Sequence, residues 1–142
     1  MTVYLDTNFF IYLADPDSDY QNQCANLVKY CQKNNIQLAT SVETIQEIIH
    51  YAKNTKQIEK GLETAQLTQE IIDFLLPVSA DTIKIYLTQT KQYLSPESRD
   101  LLHLASCLEN DIKYCISFDK DFLKFSRLKT LTPTQLINSN PD

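Results

Sequence analysis

Short β-prone apolar runs that alternate with long helical patterns predict an α/β fold: three layers, α/β/α, with a mostly parallel central sheet and helices on both faces. Two observations carry this reading. The strand-like runs 3–5, 36–40, 113–118 and 128–131 are mostly separated by segments long enough for crossover helices, which parallel strands require. Acidic residues also stand at or just beyond the ends of these runs, or on the helix that follows. Segments leaving the carboxyl ends of parallel strands meet in one crevice, so acids far apart in sequence become neighbours there.

Taken in order, Val3-Tyr4-Leu5 is a β-prone run ended by Asp6-Thr7-Asn8, and Phe9 to Leu13 starts a short helix. Asp15-Pro16-Asp17-Ser18 is a turn cluster, with Ser18 or Asp19 placed to cap a helix that runs to about Asn34-Asn35. Ile36 to Thr40 is the second strand and Ser41 a helix N-cap. From Val42 the pattern turns helical, with Ile45, Ile48, Ile49 and Ala52 on one face. The segment 56–76 also reads as helix, interrupted at most locally by Gly61, the one glycine in the chain. Pro77-Val78 is a turn or vestigial strand, followed by a helix over 81–93. Ser95-Pro96 combines a cap with proline at the first helical position, opening a helix to about Glu109. Lys113 to Phe118 is the clearest strand, Asp119 to Asp121 a turn, 122–125 a short helix and 128–131 a last strand. Thr132-Pro133 begins one more helical turn.

With 142 residues and 43% apolar composition, the chain is sized for one domain, read as 1–137, with a polar tail over 138–142. The first residues lack a charged leader, and no segment approaches the roughly 20 apolar residues that span a bilayer, so the expectation is a cytoplasmic protein with no membrane partner. Cys24, Cys31, Cys107 and Cys115 form no C-x-x-C pair and no zinc spacing with His50 or His103, and they read as free thiols. The formal charge of −5 argues against a general nucleic-acid binder with a basic face. Polyanion binding would rest on local patches, either Lys113, Lys120, Lys124, Arg127 and Lys129 bracketing Asp119, or Lys53, Lys56 and Lys60.

Four acids are candidates for chemistry. Asp6 follows a strand directly, although it is also placed to cap the helix near Phe9, and Asn8 is within reach to bond it or a water. Glu47 shares a helix face with Glu43, opposite the isoleucine stripe, so amphipathicity makes both solvent-exposed. Asp100 lies one turn into its helix ahead of the Leu101, Leu104, Ala105 and Leu108 stripe. His103, at i+3 from Asp100, reads as a packed structural residue. Asp119 closes the best strand, with Ser117 two residues before it and Asp121 two residues after.

The strings Val3-Tyr-Leu-Asp-Thr-Asn8, Ser41-Val-Glu-Thr-Ile-Gln-Glu-Ile48, Asp100-Leu-Leu-His-Leu-Ala105 and Ile116-Ser-Phe-Asp-Lys-Asp-Phe122 resemble, in order and spacing, the four acidic motifs of PIN-domain ribonucleases. The segment Leu128 to Leu136 resembles the closing strand and proline turn of the VapC-type toxins of that family, which belong to type II toxin–antitoxin systems. The resemblance places the four family acids on Asp6, Glu47, Asp100 and Asp119, with Asn8, Ser117 and Asp121 in support. Glu43, one helical turn away, competes with Glu47 for the second position.

The resemblance implies a metal-dependent endoribonuclease whose products carry a 5′-phosphate and a 3′-hydroxyl, an antitoxin that blocks the crevice, and a homodimer. An all-oxygen cluster suits Mg²⁺ or Mn²⁺, one or two ions, rather than zinc. Asp6, Asp100 and Asp119 are then the principal metal ligands, and Glu47 a ligand or water-orienting group. Single-stranded or looped RNA is the expected substrate, with Phe9 or Phe118 as rings on which bases could stack, although both read more readily as core. A non-catalytic PIN module that binds RNA or a protein is the alternative. A haloacid-dehalogenase-like phosphatase is disfavoured by Asn8, which stands where that family needs a second aspartate.

Overall fold

The structure is a computed structural model and describes residues 1–140. Its sheet has five strands: β1 (Thr2–Leu5), β2 (Gln37–Ser41), β3 (Phe74–Leu76), β4 (Tyr114–Ile116) and β5 (Lys129–Leu131). The helices are α1 (Thr7–Ala14), α2 (Gln21–Lys33), α3 (Val42–Asn54), α4 (Ile58–Ile71), α5 (Ala80–Gln92), α6 (Ser98–Glu109) and α7 (Pro133–Ser139), with a 3-10 helix at Lys120–Lys124. The strand order is β3-β2-β1-β4-β5, and every pairing is parallel. From β1 the chain builds β2 and β3 outward on one side, then returns to build β4 and β5 on the other. The gap between β1 and β4 at their carboxyl ends is therefore the topological switch point, where such sheets hold their ligands.

β1 lies at the centre and is apolar on both faces, as a strand of a covered parallel sheet must be. Val3 and Leu5 point into one core with Phe9, Phe10, Leu27, Ile48 and Leu136, whereas Tyr4 points into the other with Leu101, Leu104, Cys115 and Phe122. Each large apolar side chain so buried contributes on the order of 1.5–3 kcal/mol. All four cysteines are buried free thiols, and burial pushes Cys24 up to about 12 and Cys31 up to about 11, so neither carries thiolate near neutrality.

The structure departs from the sequence reading at several element ends. The helix expected over 56–76 stops at Ile71, and Phe74–Leu76 instead pairs with β2 as an edge strand. Its turn is made by tertiary contact: Asp73 donates its N–H to the Leu38 carbonyl, and its Oδ2 accepts from Leu38 N at 2.7 Å. Ser95-Pro96 does not open α6, which begins at Ser98 behind Glu97. Tyr20, rather than Ser18 or Asp19, occupies the N-cap of α2, and the Ser18 hydroxyl accepts from Tyr20 N at 3.2 Å. Helix α7 extends to Ser139, into the expected polar tail, of which residues 141–142 lie outside the described residues. Among the described residues no helix is long and apolar enough to cross a membrane.

Helices α3 and α4 pack against each other at Gly61, where an added Cβ would overlap the Cβ of Ala52. Alanine is the better helix former by roughly 0.8–1 kcal/mol. The Ala52 methyl has no rotamer by which to escape, however, so Gly61→Ala forces the helices apart at a cost of about 1–3 kcal/mol. A lower Tm for Gly61→Ala is the expected result, and a Tm equal to or above wild type would show that these helices separate freely.

Candidate active site

Asp6 is placed by the sheet. Leu5 of β1 lies opposite Ile116 of β4, and the ladder continues with Asp6 N–H donating to the Ile116 carbonyl at 3.0 Å. The next residues of the two strands therefore leave the sheet side by side, and Ser117 Oγ donates to Asp6 Oδ2 at 2.8 Å. Asp6 Oδ1 accepts from Thr7 N at 2.7 Å, so the same carboxylate also caps α1. At 5% exposure its burial pushes the pKa up, against the His103 charge and these hydrogen bonds, which pull it down; the net direction is up. Asn8, half-buried, makes no hydrogen bond to Asp6 among the described residues; Thr7 and Ser117 take the carboxylate instead.

Ser117 has a second partner. Its Oγ accepts from Asp119 N at 3.0 Å, and Asp119 Oδ1 accepts from Asp121 N at 2.9 Å, which starts the 3-10 helix. This turn brings Asp119 and Asp121 to Asp100 in the first turn of α6, where one oxygen from each lies within 4.8 Å of the others. Burial, followed by the negative charges of Asp119 and Asp6, pushes Asp100 up to about 7. The tight trio thus contains Asp121 where the sequence reading put Asp6, and Asp6 acts on Asp100 through its charge. Asp121 also pairs with Lys124 at 3.2 Å.

Glu47 reaches this group from α3. Thr7 Oγ1 donates to Glu47 Oε2 at 2.8 Å, and His103 Nε2 meets Oε1 at 2.7 Å, leaving the side chain 15% exposed. Burial pushes Glu47 up, but the His103 hydrogen bond and charge and the Thr7 hydroxyl outweigh it and hold the carboxyl below its ordinary range. Glu43, one turn earlier, makes neither contact among the described residues. His103 is fully buried, and its Nδ1 lies 2.6 Å from Tyr4 Oη, which in turn bonds Ser41 Oγ at 3.0 Å. Burial would lower the imidazole pKa, yet Glu47, Asp6 and Asp100 raise it on balance. His103 is packed, as expected from sequence, and it contacts Glu47 rather than Asp100.

Sequence reasoning missed Thr7, Tyr4 and the polar task of His103. Thr7 carries no signal beyond adjacency to Asp6, and the Tyr4 to His103 contact joins residues 99 apart. Phe9, which reads more readily as core than as a stacking ring, is fully buried against Phe10 at 5.5 Å, so no base can reach it. Phe118 is half-buried at the edge. The basic residues around Asp119 do not form one patch. Lys113, Arg127 and Lys129 line a groove of about 550 Å³ at the amino ends of β4 and β5, while Lys120 and Lys124 lie beside the acids. Lys60 of the second patch pairs with Asp15 at 3.8 Å.

The donor set fits a hard divalent cation. It consists of carboxylate oxygens, and bound positive charge would offset both the burial and the charges of Asp119 and Asp6 that raise Asp100.

Residues 3–128 match the model of the PIN domain family. The chain is 24% identical over 129 residues to ribonuclease VapC13 of Mycobacterium tuberculosis, covering 91% of this chain and 98% of the relative. Among solved structures, VapBC2 from Rickettsia felis, bound to a DNA fragment from its promoter, superposes with a TM-score of 0.76 at 18% identity, over 93% of this chain and 98% of that one. VapC20 of Mycobacterium tuberculosis, a sarcin-ricin loop cleaving toxin, gives 0.71 at 17% identity, over 89% and 98%.

The raised pKa of Asp100 sets a pH dependence. Between its ordinary 3.8 and about 7 the metal-free native state holds a proton that the unfolded chain has released. Stability from this group therefore falls as pH rises through that window. Asp6 acts in the same direction, His103 adds a decline only above its ordinary 6.5, and Glu47 acts oppositely, losing its contribution as pH falls below 4.5. In EDTA, the Tm should fall across this window in wild type and less steeply in Asp100→Asn; identical slopes would exclude Asp100 as the source.

Proposed function

The chain belongs to the PIN domain family, and from that premise we propose that it is a metal-dependent endoribonuclease acting as the toxin of a toxin–antitoxin pair. The observation that carries this reading is the convergence of Asp100, Asp119 and Asp121 within 4.8 Å, next to Asp6 at the switch point of the sheet. The names of the VapC relatives support the ribonuclease and toxin assignments. An antitoxin partner and a homodimer follow from the same kinship.

Asp100, Asp119 and Asp6 would hold Mg²⁺ or Mn²⁺, as one or two ions, with Asp121 as an additional carboxylate. When bound, the cation supplies activation of a water, a grip on the scissile phosphate and neutralisation of charge on the leaving oxygen. The protein's own part is orientation. Ser117 and Thr7 fix the Asp6 oxygens, and Thr7 and His103 fix both oxygens of Glu47. Held below its ordinary pKa, Glu47 is a poor proton acceptor near neutrality and serves to orient the water or ligate the ion. Hydrolysis adds water across the P–O3′ bond: the water oxygen joins phosphorus to leave a 5′-phosphate, and the departing O3′ takes a proton.

The direct test is cleavage of a mixed RNA pool by purified protein in Mg²⁺, Mn²⁺ or EDTA. Cutting should require the cation and fall at least about 100-fold in both Asp6→Asn and Asp100→Asn. Metal binding without any cutting would instead favour a non-catalytic PIN module. A second comparison separates the two glutamates: Glu47→Gln should lower the rate roughly 10–100-fold, while Glu43→Gln stays close to wild type. The reverse order would move the second acid to Glu43.

A further inference from the structure

Three rings from three elements meet beside the loop that carries Ser117 and Asp119. Phe118 stands between Ser117 and Asp119, both of which belong to the hydrogen-bonded acid network. Its ring lies 4.7 Å from that of Tyr20, at the N-cap of α2, and 5.2 Å from that of Tyr12 on α1; the two tyrosine rings are 5.1 Å apart. Tyr12 is close enough to Asp6 for that carboxylate to help raise its phenol pKa, after burial, Tyr20, Tyr51 and Cys24. Tyr12 and Phe118 pack on the core that holds the fully buried Phe9 and Phe10. Tyr20, by contrast, leaves 42% of its surface in solvent.

We propose that Tyr20, backed by Tyr12 and Phe118, is a stacking platform for an unpaired base of RNA next to the scissile phosphate. This rests on the ribonuclease reading above and adds to it how the substrate is held. A chain of formal charge −5 draws little affinity from phosphates, whose attraction depends on clustered cations. A base laid on an exposed ring gains affinity without charge, and stacking tolerates any base because each presents a π-face. The half-buried Tyr12 and Phe118 keep the Tyr20 ring from turning away, so little ordering is required when the base arrives.

The probe is a short single-stranded RNA carrying 2-aminopurine, titrated into the full chain bearing Asp100→Asn so that it is not cut. Binding should quench the fluorescence at one position beside the cleavage site. Adding Tyr20→Ala should remove the quench and weaken binding roughly tenfold to a hundredfold, whereas Tyr20→Phe should preserve both. Tyr20→Leu retains apolar packing without a stacking face and should behave like Tyr20→Ala, with a wild-type Tm excluding unfolding as the cause. Quench and affinity that survive Tyr20→Ala would overturn the proposal. So would unchanged RNA binding accompanied by loss of a co-purifying protein inhibitor, which would assign the rings to that partner. Failure of the ribonuclease reading is distinguishable: wild type would then leave the same RNA uncut in Mg²⁺ or Mn²⁺, whatever the quench.

Discussion

The parallel pairing of β1 with β4 is the contact on which the site depends. It sets Leu5 opposite Ile116, and the Asp6 N–H on the Ile116 carbonyl carries the ladder one step past the last β1 residue. Asp6 and Ser117, which are 111 residues apart, then emerge as neighbours. Because β1 is buried on both faces, a slip of its register by one residue would exchange Tyr4 with Val3 and Leu5 between the two cores. The hydrophobic pattern of the central strand therefore locks the position of the first acid.

Holding several carboxylates together opposes folding. Two full charges about 4 Å apart repel by roughly 4 kcal/mol at an effective dielectric near 20. The chain offsets part of this with donors: the backbone N–H groups of Thr7 and Asp121 and the hydroxyls of Ser117 and Thr7 each serve a carboxylate oxygen. Behind them His103 adds positive charge, which lowers the pKa values of Asp6, Asp100 and Glu47 alike. Tyr4 and Ser41 extend this buried polar chain to the start of α3, so the Ser41 hydroxyl serves Tyr4 and makes no side-chain cap bond to its own helix. Burial, followed by the charges of Asp119 and Asp6, still leaves Asp100 raised, and it is the acid whose oxygen lies near both Asp119 and Asp121.

The strands and acids that were legible share a local signature. Val3 to Leu5 and Lys113 to Phe118 are β-prone runs, each followed by a polar turn, and Asp6 and Asp119 occupy those turns. Phe74–Leu76 was not legible, because three residues at an edge carry too short a pattern and follow a helical run without a break. Its strand identity comes from pairing with β2. Glu47 was ambiguous for a related reason: periodicity separates the apolar from the polar face of α3 and does not distinguish two glutamates on the polar one. The two phenylalanines both read more readily as core than as stacking rings, and packing alone separates them, with Phe9 fully buried and Phe118 half-buried at the edge.

By itself the sequence determined the α/β class, four of the five strands, and which acids lie at strand ends, because period, capping chemistry and β-propensity act over a few residues. Only the tertiary structure decided the strand order in the sheet, the choice of Glu47 over Glu43 as the partner of Thr7 and His103, and the entry of Asp121 into the trio with Asp100 and Asp119. Each of these rests on groups that meet across the switch point between β1 and β4 or across a helix interface. Such meetings depend on how the layers pack, and no local pattern encodes them.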